Sequence, residues 1–279
     1  MHIMFEECNV KKGDKIAIVA PAKRVTHEEI APAIQILTSW GLEVSEGKNL
    51  YAQNNYFAGT DSQRLSDLQQ MLDNPEIKAI LCARGGYGTT RLLDKIDWHE
   101  FRHHPKWLVG FSDITALLTH LLTNVHTTSI HGPMAFNFAN PKAANALEHL
   151  RKLLFAEPTT IALPHHELNN PAQATGLIIG GNLSMLTNII GTSSDINYNQ
   201  RILMLEEIEE YYYRIDRMMI HLLRAGKLEH LSAIVIGQFS HMMENQIPFG
   251  KDAYQIINEI VSPFELPVFF NAPFGHVTE

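Results

Sequence analysis

Residues 107–115 read WLVGFSDIT, and this stretch decides the fold. An apolar strand, Trp107–Val109, enters the tight turn Gly110-Phe111-Ser112-Asp113, and a helix follows from about Ile114 to Leu122. A strand without a polar face that leads straight into a helix belongs in a parallel sheet covered on both sides. Towards the N-terminus the same order repeats. Ala79–Ala83 (AILCA) is another buried strand, with Gly85-Gly86-Tyr87-Gly88 just behind it, and Lys15–Ala20 (KIAIVA) is a third, ended by Pro21. Between these lies a helical stretch to about Trp40, with Ile30, Ala33, Ile34 and Leu37 on its apolar side and Gly41 as its stop. A short strand follows at Leu42–Val44. A second helix, capped by Thr60 or Asp61, carries Leu65, Leu68, Met71 and Leu72 and closes at Asn74-Pro75. This order predicts an α/β fold with a doubly wound parallel sheet, whose sites lie beyond the carboxyl ends of the strands. Both glycine-containing turns fall there.

Towards the C-terminus, a helical segment near Ala143–Phe155 leads to Pro158–Pro171, rich in Pro, Asn and His and without periodicity. Read as a linker, it divides the 279 residues into an N-terminal domain (1–155), a connection (156–172) and a smaller C-terminal domain (173–279). The latter holds a Gly180-Gly181 turn, a helix near Leu183–Ile190 and the strand Ile202–Leu205. A helix over Arg214–Ala225, stopped at Gly226, and the strand Ala233–Ile236 complete it.

Hydrophobic residues make up 45% and charged residues 19%, too apolar for a disordered chain. The 22 basic and 30 acidic side chains give a net charge of −8, and no basic run relieves it, which disfavours nucleic acid as a partner. Cys8 and Cys82 supply no disulfide framework and no CxxC pair. No stretch approaches the ~18 apolar residues of a membrane span. Lys11-Lys12, the run Ile16–Ala20 and Ala20-Pro21-Ala22 imitate a secretion signal, but Asp14 and Lys15 abut a run shorter than the ~7 residues such a signal needs. A cytoplasmic protein is expected.

Ser112 is the first candidate for chemistry. A serine at a strand–turn–helix junction resembles a nucleophile elbow, with Gly110 two residues before it but Ile114 where a second glycine would stand. The alternative is that Ser112 only caps the helix. In Arg84-Gly85-Gly86-Tyr87-Gly88, glycines let backbone amides approach a ligand, as in an oxyanion hole or a phosphate cradle. No Lys-Ser or Lys-Thr follows, and Arg91 replaces the last glycine of G-x-G-x-x-G, so the phosphate reading is weak; a purely structural turn stays open. Among 15 histidines no metal-ligand spacing occurs, and no metal or other cofactor is expected. Glu206 and Glu207 end an apolar strand, where one could orient a histidine or cap the following helix. His276 follows a Gly275 turn. In an extended strand Ile202, Met204 and Glu206 share one side while Leu203, Leu205 and Glu207 share the other. Serine, glutamate and histidine in this order are the parts of a hydrolase triad.

Eight blocks carry a resemblance: FAGT at 57–60, ARGGYG at 83–88, GFSD at 110–113, HGPM at 131–134, GGNL at 180–183, LEE at 205–207, YRIDRM at 213–218 and FGH at 274–276. In this order, and over about Lys15 to His276, the chain resembles the LD-carboxypeptidase family, serine peptidases that include murein tetrapeptide carboxypeptidase and microcin-immunity peptidases. The resemblance implies an N-terminal domain like class I glutamine amidotransferases, a β-rich swivelling C-terminal domain, a role in cytoplasmic peptidoglycan recycling, no metal, and a homodimer. It makes Ser112 the nucleophile, Glu206 rather than Glu207 the orienting acid, His276 the base, and Gly86 and Asp113 the donors of the oxyanion-hole amides. Arg84, whose guanidinium fork fits a carboxylate, and Tyr87 are assigned to substrate binding. Family members continue beyond the Phe-Gly-His block, whereas this sequence stops at Glu279, so Pro273 and the packing of Phe269, Phe270 and Phe274 are expected to hold His276.

The expected reaction is hydrolysis of the bond to a terminal D-Ala of a small muropeptide, with no nucleic-acid or membrane partner. Two alternatives remain: a microcin-immunity-type peptidase acting on a peptidyl-nucleotide conjugate, with Tyr211, Tyr212 and Tyr213 as an aromatic slot, and a non-catalytic two-lobed binding protein.

Overall fold

A computed structural model describes residues 8–277; the outermost residues of the two expected domains, 1–7 and 278–279, lie outside the described residues. The chain divides into two compact units between Thr160 and Ile161.

In the first unit, β1 (Lys15–Val19), α1 (His27–Ser39) and β2 (Glu43–Glu46) come first. Next come α2 (Asp61–Asp73), β3 (Ile77–Cys82), the short α3 (His99–His103) and β4 (Trp107–Gly110). α4 (Thr115–Val125), β5 (Ile130–His131) and α5 (Ala144–Leu154) complete it. The strands lie in the order β2-β1-β3-β4-β5, all parallel. Ile16, Ile18, Ala79, Leu81 and Val109 face a core made with Ile30, Ala33 and Leu37 of α1 and Leu147 and Leu150 of α5. The alternate residues Ala17, Val19, Ile80 and Leu108 are equally buried, and α2 and α4 pack against the strands. Continuous apolar strands therefore mean a sheet covered on both faces, as the sequence predicts. The chain leaves β1 for β2 on one side and returns to β3 on the other. The carboxyl ends of β1 and β3 thus flank a topological switch point, where such sheets leave a crevice.

Two capping boxes start the helices that frame this end. Thr26 pairs with Glu29 at α1, and Thr60, not Asp61, pairs with Gln63 at α2. Asp61 instead binds the guanidinium groups of Arg64 and Arg91. At the far end of α2, Lys106 is fully buried immediately before β4. Its Nζ donates to the carbonyls of Met71 (3.1 Å), Leu72 (2.8 Å) and Asn74 (2.6 Å), acceptors that a helix end leaves orphaned. Burial, and then the Lys78 charge, push the ammonium down to about 8 against the opposing effect of Asp73.

The second unit holds β6 (Leu177–Asn182), α6 (Leu183–Asn188), β7 (Arg201–Ile208), α7 (Tyr212–Arg224), β8 (Ala233–Ser240), α8 (Ala253–Val261) and β9 (Val268–Phe269). Its four strands run parallel in sequence order, with helices packed beside them. Much of the segment expected to be a linker is built into this unit. Asn170 exchanges backbone hydrogen bonds with Val268, Asn169 Oδ1 accepts from Phe270 N at 2.7 Å, and His166 packs on Tyr254 and Phe270. Polar residues without periodicity look like a free connection, yet here the Asn170 backbone pairs with β9 and the Asn169 side chain satisfies the residue just past it.

Lys106 yields a pH prediction. Between about pH 8 and 10.5 the folded state has released a proton that the unfolded chain still binds, so stability rises with pH across that window. Urea unfolding of the wild type relative to Lys106→Met should therefore improve by about 2 kcal/mol from pH 7.5 to pH 10. A constant difference would mean that Lys106 titrates normally.

Candidate active site

Ser112 stands immediately past β4 with φ +61°, in the left-handed region. Phe111 before it is extended, and residues Ser112–Ile114 form a 3-10 turn that leads into α4. A non-glycine residue held there costs about 1–3 kcal/mol and persists only where its surroundings enforce it. The side chain caps neither the turn nor α4, which removes the capping alternative. Gly110 explains the missing second glycine: a β-carbon on Gly110 would lie 2.7 Å from Ile114 Cγ2, so the isoleucine side chain fills the space over the bare glycine. Glycine is needed on only one side of this elbow.

The adjacent strand end, after β3, carries the glycine-rich loop. A β-carbon on Gly85 would lie 3.1 Å from Ser112 Cβ and 3.2 Å from its Oγ, with the Asp113 amide at 3.4 Å. Gly86 follows at φ +103°. The structure therefore brings Gly85, Gly86, Ser112 and the Asp113 amide together within the first unit. The Asp113 side chain fixes the pair of loops, since its Oδ2 accepts from Thr89 N at 2.9 Å and from Thr89 Oγ1 at 2.6 Å. Burial pushes this carboxyl up, against the lowering effect of the Thr89 hydrogen bonds. Arg64, also buried, donates to the carbonyls of Pro21 and Gly88 and stacks 4.8 Å from the Phe57 ring. Sequence reasoning missed both supports. Arg64 had a signal, for it sits one turn before Leu68 on the apolar stripe of α2, where a charge needs a buried partner. Arg91 is held by Asp61, with Nε–Oδ distances of 3.0 and 2.9 Å, and does not serve a phosphate cradle.

Arg84 and Tyr87 occupy the same loop. Arg84 Nη1 donates to Glu29 Oε1 at 3.2 Å, and its guanidinium lies 3.9 Å from the Phe136 ring centre. Tyr87 is half exposed, its ring beside Phe57.

Glu206 and His276 belong to the second unit and meet there. His276 Nδ1 lies 2.7 Å from Glu206 Oε2, with the glutamate side chain fully buried and the imidazole 18% exposed. A carboxylate can only accept when ionised, so the hydrogen of this bond is carried by Nδ1, and the bond fixes the orientation of the ring. Gly275, at φ +108°, makes the approach possible: a β-carbon there would lie 2.8 Å from Glu206 Cβ. The chain around His276 is stitched to β8. Ala272 N donates to Ile236 O, Gln238 N to Phe274 O, and Ser240 Oγ to His276 O at 3.0 Å. Phe270 is fully buried beneath this segment. Backbone hydrogen bonds thus accompany the aromatic packing that the sequence suggested.

Strict alternation along β7 fails at the glutamates, both of which are buried. The register against β8 shifts between Leu205, paired with Ile236, and Glu207, paired with Phe239. Glu207 binds Asn182 Nδ2 and Ser184 N, both at 2.8 Å, and so caps α6, the helix before its own strand and not the one after. Burial pushes its carboxyl up. Tyr211 and Tyr213 pack on each other, with ring centres 5.7 Å apart, and on Arg214.

A strained, non-capping serine beside a glycine loop, and a histidine held by a buried glutamate, are the elements from which serine hydrolases are built. Residues 16–132 match the LD-carboxypeptidase N-terminal domain, and residues 175–279 match the LD-carboxypeptidase C-terminal domain. A probable murein peptide carboxypeptidase of Bacillus subtilis is 35% identical, over 96% of this chain and 85% of its own. The murein tetrapeptide carboxypeptidase of Pseudomonas aeruginosa is 31% identical, over 94% of this chain and 88% of its own. The crystal structure of muramoyltetrapeptide carboxypeptidase from Oxalobacter formigenes matches with a TM-score of 0.84 at 32% identity, covering 94% of this chain and 89% of its own. The microcin C7 self-immunity protein MccF shares the fold, with a TM-score of 0.82 at 21% identity. The chain belongs to the LD-carboxypeptidase family.

The two glutamates should separate in stability. Glu207→Gln replaces one accepting oxygen with an NH2 group that faces a donor and should cost about 1–3 kcal/mol in urea unfolding. Glu206→Gln, which uncaps no helix, should cost less; the reverse order would refute the assignment of Glu207 as the cap.

Proposed function

We propose that this chain is a serine LD-carboxypeptidase that removes a terminal D-Ala from muropeptides. The observation that carries this reading is the left-handed, non-capping Ser112 seated against Gly85 and the Asp113 amide. The murein carboxypeptidase relatives and the Glu206–His276 pair support it.

In this reading His276 Nε2 takes the proton from Ser112 Oγ, which attacks the carbonyl carbon before the terminal residue. Glu206 holds the imidazole by Nδ1 and stabilises the imidazolium. The amides of Gly86 and Asp113 receive the developing oxyanion, each worth roughly 3 kcal/mol in comparable sites. The C–N bond breaks, His276 gives its proton to the departing amine of D-Ala, and an acyl-enzyme remains. Water, deprotonated by His276, releases the shortened peptide and restores Ser112. Arg84 and Tyr87 line the substrate side of the glycine loop. No helix among the described residues is long and apolar enough to cross a membrane. The reading includes cytoplasmic peptidoglycan recycling and a homodimer.

Incubation with a muramoyl tetrapeptide should release free D-Ala, detected by mass. Ser112→Ala should reduce the rate by at least ~1000-fold while the protein stays folded. Undiminished release by the variant would reject a serine mechanism.

A further inference from the structure

A peptidase that removes the last residue must recognise a free carboxylate one residue beyond the bond it breaks. In the first unit the group facing that position has to be cationic, close to the glycine loop, and not already neutralised. Arg84 meets only the first two conditions, because Glu29 faces its guanidinium and Phe136 covers it. Lys23 meets all three.

Lys23 follows β1, across the switch-point crevice from the loop after β3. Its amide donates to Gly85 O at 3.2 Å, and it forms an isolated bridge with Phe57. Arg24 N donates to Tyr56 O at 3.1 Å and Ala58 N to Ala22 O at 3.0 Å, so the segments at 22–24 and 56–58 are fixed side by side. A β-carbon on Gly86 would lie 2.5 Å from the Tyr56 hydroxyl, 3.0 Å from Lys23 Cβ and 3.3 Å from Lys23 Cδ. The Lys23 stem therefore runs along Gly86, the residue next to the one that touches Ser112. Its Nζ lies 5.3 Å from the Tyr56 ring centre, and among the described residues it has no carboxylate partner. Lys23 is half buried and Tyr56 is 43% exposed, so the pair is open to a ligand on one side. The phenol remains a donor, since burial and then the Asp113 charge push it up, against the opposing effect of Arg84.

We propose that Lys23, with the Tyr56 hydroxyl beside it, receives the terminal carboxylate of the substrate. This rests on the carboxypeptidase reading above. It makes Lys23 a specificity residue: the ammonium pairs with the carboxylate, Tyr56 donates a second hydrogen bond, and Gly86 lacks a side chain where one would displace both. A charge-assisted pair of this kind corresponds to roughly 10- to 100-fold in affinity.

The test is binding without turnover. In a Ser112→Ala background, calorimetry compares an L-Ala-D-Glu-diaminopimelyl-D-Ala tetrapeptide with the same peptide ending in a carboxamide. The Ser112→Ala protein should bind the free acid at least ~10-fold more tightly than the amide. Adding Lys23→Met should abolish that preference, and adding Tyr56→Phe should reduce it a few-fold. A preference that survives Lys23→Met, or no preference at all with Lys23 present, overturns the proposal. Failure of the carboxypeptidase reading looks different: the wild type would bind the acid selectively through Lys23 yet release no D-Ala.

Discussion

The left-handed backbone of Ser112 is the constraint on which the first unit's architecture turns. Holding φ at +61° costs about 1–3 kcal/mol, and no interaction of the serine side chain with a helix end offsets it. The surroundings do. Ile114 packs over the bare Gly110, Asp113 reaches across to Thr89, and buried Arg64 fastens the far end of the glycine loop through Gly88 O. Hydrogen bonds to buried charged groups contribute about 1.5–3 kcal/mol each, enough together to over-determine the elbow. Lys106 extends this support to the start of β4 by fastening the end of α2.

The second unit positions its histidine by other means. His276 belongs to a short segment past β9, and such segments stay mobile unless their backbone is bonded. Here Ile236 O, Gln238 N and Ser240 Oγ of β8 supply the bonds, so a regular strand acts as the ruler for an irregular one. The register shift in β7 places two consecutive carboxylates in the interior, each with its own partner. Gly275 then lets the chain pass within contact distance of Glu206.

In the sheet of the first unit, β1, β3 and β4 were legible because they are apolar on both faces and a glycine or proline lies at or just past each end; polar β2 and two-residue β5 lack that signature. The strand–turn–helix junction was legible from Gly110 and Ser112, but not that the serine leaves the helix uncapped, because a capping serine has the same residue signature. Arg64, Lys106 and Thr89 were not legible. Their roles depend on which strand neighbours which helix, and that pairing is a tertiary fact. The split of Glu206 from Glu207 was hidden for a related reason, because a two-residue period cannot anticipate a register shift set by the partner strand. Pro158–Pro171 read as a linker because an irregular segment that pairs with a neighbouring edge at one residue has no periodic signature.

The proposed reading makes Ser112 the nucleophile and His276 its base. Intact-protein mass spectrometry after fluorophosphonate treatment tests it directly. One adduct, mapped to Ser112, is expected on the wild type, and none on His276→Ala over the same time. Equal labelling of the two proteins would contradict it.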